Sequence, residues 1–341
     1  QFSSQGSVEI TERFRDRGIR LESETELSTY YLAFNMLDDV VGGLTDPRRK
    51  LRQAVAIAID TEERIQIFNN GLGVAAQGFL PPGIFGWERG PAGIDPYVYA
   101  WDPVARAPRR RSLAEAKRLL AEAGYPGGRD HAGRPLALKF ANAWNDSEHV
   151  PLIQWLTQKV GALGVTLVNE TTDYNRFQEK AAQGNFQLLS WGWLADYPDP
   201  ENFLFLLYSP NGKAKHHGEN VSNYENPEYD ALFRKLENMT SGPERLALIR
   251  RALAVSRRDA PLVWGFHPAS LGLYHRWLRN TKPHAVAHNQ LMYVRLDPRE
   301  RRRLRGEWNR PVWWPIALGL AALAAVAWPA FRETRQSGRR R

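Results

Sequence analysis

Two tryptophans, one carboxylate and a rigid turn stand together in this chain: Trp191 and Trp193, then Asp196, then Tyr197-Pro198-Asp199-Pro200. Aromatic faces beside a single anion suit a ligand that is part cation and part hydrocarbon. Trp191 and Trp193 lie two residues apart, so in a strand they share a face, with Gly192 behind them. A structural reading competes with this one. Tryptophans fill cores, and Asp next to Pro is ordinary turn chemistry, which suits Asp199 in particular.

Catalysis by Asp196 and Asp199 would need the two carboxylates held across a substrate. Three residues apart around a proline, they fit a turn better. The sequence holds no Gly-x-Ser-x-Gly elbow, no Gly-x-x-x-x-Gly-Lys-Ser/Thr loop and no His-Glu-x-x-His. Gly71-Leu72-Gly73-Val74-Ala75-Ala76 has the look of a dinucleotide fingerprint, but it follows a predicted helix where that chemistry needs a strand. The expectation is therefore a binder without enzymatic activity or cofactor. Metal ligation would fall to the adjacent pair His216-His217, or to His267, His275, His284 and His288. Solvated loop histidines are the commoner case, and nickel, haem or another metallophore stands as an alternative cargo. With no cysteine in the chain, disulfides and thiolate zinc sites are excluded.

The elements that would position these residues follow from pattern and punctuation. Phe186 to Trp193 is an apolar run of strand length, and the two prolines beyond it end the strand. Thr29 to Met36, Pro135 to Ala143, Gly164 to Glu170, Pro261 to Tyr274 and Tyr293 to Leu296 also read as strands. Helices are predicted after Asp46-Pro47, after Asp60 with Glu63, after Ser112 with Glu115, over Glu148 to Leu163, after Asp173, after Asn226-Pro227 and after Gly242-Pro243. Asn142 and Asn145 sit in a polar turn after a strand and are weaker candidates for ligand contact. Strands alternating with helices give an α/β layered fold.

The 341 residues suffice for two domains or one large one. The net charge is +9, yet residues 299–341 hold eleven arginines against three glutamates, so the body is close to neutral. A nucleic-acid partner is disfavoured accordingly. Residues 312–331 carry no charge and are flanked by Trp313, Trp314 and Trp328. That pattern predicts one transmembrane helix, with the arginine-rich flanks at anionic membrane lipid. Arginines on both sides leave its orientation undecided by charge. Gln1-Phe2-Ser3-Ser4 shows no basic-then-apolar leader.

Six blocks in order carry a resemblance. They are Tyr30–Asn35, Arg52-Gln53-Ala54 through Ile59-Asp60, Leu113–Pro126, Trp191–Phe203, Asn223–Leu232 and Ala260–His267, spread over about residues 28–298. In wording and sequence they resemble the extracellular solute-binding proteins of family 5, the oligopeptide-, dipeptide- and nickel-binding components of ABC importers. The resemblance implies a two-lobed, type II periplasmic-binding-protein-like fold that closes on its ligand. It further implies that this chain is the C-terminal lobe with part of the other. Residues 1–45 would be a partial lobe I segment, 46–264 the ligand-binding lobe and 265–298 the return segment. A basic linker, 299–311, the membrane helix, 312–331, and a basic tail, 332–341, would follow. A separate chain could supply the N-terminal half.

In peptide-binding relatives an Asp at this strand end pairs with the ligand's α-amino group, which assigns that role to Asp196, with Trp193 and Trp191 walling side-chain pockets. The implied partners are a peptide or other small solute and ABC permease subunits, at the periplasmic face of the inner membrane. The alternative is a membrane-tethered interaction module with no ligand of its own.

Overall fold

A computed structural model describes residues 10–281 and 289–337. Six strands form one mixed sheet: β1 (Ser28–Phe34), β2 (Val74–Ala75), β3 (Ala137–Asn142), β4 (Thr166–Thr171), β5 (Leu188–Leu194) and β6 (Leu262–His267). Their spatial order is β2-β6-β1-β5-β3-β4. β1 runs antiparallel to both of its neighbours, whereas β3 is parallel to β4 and β5. The inner strands read as nearly continuous apolar runs because both faces of the sheet are covered. Ala33, Phe34, Leu138, Phe140, Leu188 and Leu189 are all fully buried.

The helices α1 (Asp46–Ala58), α2 (Thr61–Phe68), α3 (Leu113–Glu122), α4 (Val150–Gly161), α5 (Tyr174–Gln183), α6 (Pro227–Leu236) and α7 (Pro243–Asp259) complete this body. Their starts follow the local chemistry. Asp60 accepts the Glu63 amide at 2.9 Å, and Asp173 accepts that of Arg176 at 3.0 Å. Ser112 and Glu115 form a reciprocal capping box. Thr45 is the N-cap of α1, so Asp46 and Pro47 fall inside its first turn.

Two strands depart from expectation. β1 stops at Phe34, and beyond it the side-chain amide of Asn35 donates to the carbonyls of Gly184, at 2.8 Å, and Phe186, at 3.1 Å. The run from Pro261 to Tyr274 is two strands. Pro268 has no amide to donate and breaks β6 from Ala269–His275, which pairs instead with Ile19–Thr25.

A polar knot ties α1 to the C-terminal end of α7. The Arg52 guanidinium is fully buried and donates to the carbonyls of Val41, Gly43, Asp259 and Ala260. The Asp259 carboxylate receives Arg49 at 2.8 Å, and both the Tyr224 hydroxyl and the Asn226 amide at 2.6 Å. Every group in the knot is satisfied, which is the condition under which buried charge is tolerated.

The chain divides into two compact units, the first reaching to Tyr274 and the second holding His275–Thr281 and the described chain from Leu291 onward. Ser28–Phe34, from the segment expected to belong to another lobe, lies between β6 and β5 in the first unit. In the second unit, Leu278–Arg279 pairs with Arg295–Leu296. Two helices follow, α8 (Pro298–Trp308) and α9 (Trp314–Ser337).

The span expected at 312–331 is not supported. Among the described residues no helix is long and apolar enough to cross a membrane. Helix α9 begins only at Trp314, and the side chains of Ala330 and Phe331 lie outside the described residues.

Candidate functional site

Within the first unit lies a cavity of about 780 Å³, inside the range of small-molecule sites, about 300–1,000 Å³. Strands β1 and β6 bring Tyr30 and Phe266, whose rings stack at 5.3 Å. Strand β5 brings Trp191 and Trp193. Trp191 leans on Phe177 of α5 at 5.6 Å, and Trp193 meets Phe205 edge-on at 5.1 Å. Trp155 comes from α4, and Trp144 from the loop before it, where its ring stacks on His149 at 5.5 Å. The lining is thus aromatic on several sides, as a site for apolar groups requires.

Few charges reach the cavity. Glu219 pairs with Lys213 at 3.4 Å, and the Lys213 ammonium stands 5.4 Å from the Trp191 ring. Glu26 accepts the Ser28 hydroxyl at 3.4 Å. His149 is held by Asp146 at 2.8 Å. Arg64, on α2, lies with its guanidinium 4.3 Å from the centre of the Phe266 ring. Burial lowers its pKa to about 10, so it stays charged at neutral pH. The neighbouring acids are engaged elsewhere: Glu62 binds Arg110 at 2.8 Å, and Glu63 binds Lys159 and the Trp155 indole.

Of the residues singled out in the sequence, Trp191 and Trp193 line this cavity, and Asp196, Asn142 and Asn145 are not among its lining residues. Asp196 is exposed at the end of β5. Asn202 links it to the tryptophans: its amide donates to the Asp196 carboxylate at 3.3 Å, and its oxygen accepts the Asp196 amide at 2.9 Å and the Trp193 indole at 3.2 Å. Asp199 holds the nearly inaccessible Arg245 on both oxygens, at 2.8 and 2.6 Å, and so pins the turn to α7. Asn142 is fully buried and accepts the Trp144 amide at 3.1 Å, which sets the loop that carries Trp144. Asn145 is exposed.

The histidines are dispersed. His216 and His217 are exposed, while His267 is buried with Nδ1 3.0 Å from the Ser28 carbonyl. His275 belongs to the second unit, and His284 and His288 lie outside the described residues. Among the described residues no group of three or more His, Cys, Asp or Glu side chains is arranged to hold a metal ion.

Sequence reasoning passed over Arg64, Trp144, Trp155, Tyr174, Phe177 and Phe266. Arg64 follows two glutamates in a capped helix and reads as one more surface charge. Trp155 lies with Leu152 and Leu156 on the apolar face of α4, where it reads as core. Trp144 stood between the two asparagines that were noticed. A usable signal was present, since Trp144 and Tyr174 each stand where a strand gives way to a helix.

The model of the bacterial extracellular solute-binding proteins, family 5 Middle, matches residues 3–215, more than half of the chain. Heme-binding protein A of Haemophilus influenzae is 29% identical over 266 residues, covering 75% of this chain and 43% of that protein. The periplasmic murein peptide-binding protein MppA of Escherichia coli is 26% identical over 306 residues, covering 85% of this chain and 51% of its own length. The chain thus spans about half the length of these relatives. Among solved structures, HbpA2 from Haemophilus parasuis superposes with a TM-score of 0.68 at 20% identity, over 83% of this chain and 51% of that one. The unliganded open form of MppA gives 0.65 at 22%, over 83% and 50%. At that identity the structures establish the fold alone, that of periplasmic binding proteins. The matched family model carries the conclusion, and the chain belongs to the bacterial extracellular solute-binding proteins of family 5.

Proposed function

We propose that this chain is the solute-capturing part of an ABC importer, acting in the periplasm on peptides or similar small solutes without chemistry on them. One observation carries the reading: a cavity of about 780 Å³ walled by Tyr30, Trp144, Trp155, Trp191, Trp193 and Phe266 in a chain of this family. Aromatic walls bury apolar side chains, and strand-like backbone at such a site grips a peptide main chain whatever its sequence. The names of relatives support a peptide more than any other cargo, since they include a murein peptide-binding and a dipeptide-binding protein of Escherichia coli. Delivery to a permease belongs to the same proposal.

Asp196 keeps its proposed part as the partner of the ligand's amino group. It is exposed at the end of the strand that carries both tryptophans, with one oxygen steadied by Asn202. A carboxylate so placed pairs strongly with an ammonium once ligand and closing protein exclude water. Native mass spectrometry of the full chain, purified from its own cell envelope, tests the reading. A bound small solute, released on unfolding and rich in peptide, is the expected result. A chain that carries none, and takes up none from a peptide library, contradicts it.

A further inference from the structure

In the second unit α8 turns its carboxylate inward and its arginines outward. Asp297 starts the helix by accepting the Glu300 amide at 3.0 Å. The Glu300 carboxylate takes Arg276 at 2.9 Å and Arg279 at 3.0 Å. Glu300, Leu304 and Trp308 follow at steps of one turn and so share a face. Leu304 is buried, and Trp308 lies 5.3 Å from Trp277, which stacks on His275 at 4.0 Å. The rest of the helix surface is left to Arg299, Arg301, Arg302, Arg303 and Arg305, with Arg310 just beyond, all exposed. Arg303 has Glu307 at 2.8 Å. The others have no carboxylate partner among the described residues.

From there the chain runs through Trp313 and Trp314 into α9, where Ile316, Leu318, Leu320, Leu323, Val326 and Trp328 are all more than half exposed. At about 3.6 residues per turn these positions fall on every side of the helix. A helix that is apolar all round belongs in an apolar surrounding, not in water. The arginines at its entry select which surrounding. A second copy of this chain would bring as many arginines again, with Glu300 and Glu307 already paired. A negatively charged phospholipid surface offers phosphates to the guanidinium forks and hydrocarbon to the helix, and indoles favour the boundary between the two. We infer that the second unit docks on an anionic phospholipid surface. Arg299, Arg301, Arg302, Arg305 and Arg310 meet headgroup phosphates, while Trp313, Trp314 and the apolar side chains of α9 enter the lipid. Entry to the depth of an interfacial helix meets this requirement, and no crossing is needed.

The full chain, purified in detergent and freed of it by dilution into vesicles, would be followed by flotation. One set of vesicles is phosphatidylcholine alone, and the other is equal parts of phosphatidylcholine and phosphatidylglycerol. The expected result is at least about tenfold stronger partition into the anionic vesicles, with the difference shrinking as salt rises from about 0.1 M to about 0.5 M. A variant with Arg299, Arg301, Arg302, Arg305 and Arg310 all changed to Gln should bring the two partitions to within about threefold. The same positions changed to Lys should keep the preference, which separates charge from folding, and both variants are checked for an unchanged melting temperature. Equal partition of the unaltered chain into the two vesicles overturns the inference. So does a preference that survives in the folded Gln variant. A chain that stays off both vesicles and associates with itself overturns it as well, and names a second copy as the occupant of α9.

Discussion

Gly192 carries no side chain because Tyr30 lies over it: a Cβ at that position would come within 2.7 Å of Tyr30 Cδ1. The two residues are register partners across β1 and β5. One glycine thus lets Trp191 and Trp193 stand on either side of it while Tyr30 stacks on Phe266. Gly192→Ala should push the Tyr30 ring aside and loosen that stack, with a stability loss of about 1 kcal/mol and weaker solute binding. Melting curves and fluorescence titration check this, and a variant with unaltered affinity would mean that the Tyr30 ring does not shape the site.

Arg52 fills its donors with four backbone carbonyls in the interior. Lysine cannot reproduce that planar fork. Arg52→Lys should cost about 3 kcal/mol of stability or more, as loss of part of a buried charge network does. Denaturant unfolding measures it. A loss under 1 kcal/mol would show that the knot between α1 and α7 is not a principal support.

His267 should make the fold sensitive to acid. Burial holds its pKa down to about 4, against an ordinary 6.5. Between those values the unfolded chain binds the extra proton, so this contribution is complete above pH 6.5 and lost as pH falls. From pH 7 to pH 5 the loss is about 2 kcal/mol. Asp95 acts in the opposite sense, since burial raises it to about 6 and its contribution fades as pH rises through that value. Comparing stability at the two pH values in the wild-type chain and in His267→Gln isolates the histidine. The variant should lose about 2 kcal/mol less, and equal losses would refute the assignment.

Asp196→Ala should weaken binding of a free-amine peptide by about 2–5 kcal/mol, the usual cost of leaving a buried ammonium unpaired. N-acetylated peptides should bind both forms alike. Calorimetric titration of the two peptide types decides the matter, and an unchanged affinity for the free amine removes Asp196 from the site.

Much of the frame was legible beforehand because it rests on local chemistry. Asp60, Ser112 and Asp173 cap helices in the structure as their spacing predicted. The strand through Trp191 and Trp193 is also where pattern and prolines put it. What escaped was set by distance along the chain. Nothing near Arg64 announces Phe266, about two hundred residues on. Pro268 in an apolar run did not reveal that two different sheets meet there. The cavity emerges only when seven separate segments converge, and no single window of sequence contains it. The uncharged stretch at 312–331 was the opposite case, a strong local pattern that the described residues do not support as a membrane span.

The most direct test of the central claim is a tryptophan fluorescence titration of the full chain with an apolar tripeptide library, repeated on Trp191→Phe and Trp193→Phe. The account predicts a saturable change in emission that shrinks in each variant, because both indoles line the cavity that fills. Emission that does not respond to peptide, or that responds equally in all three proteins, would contradict it.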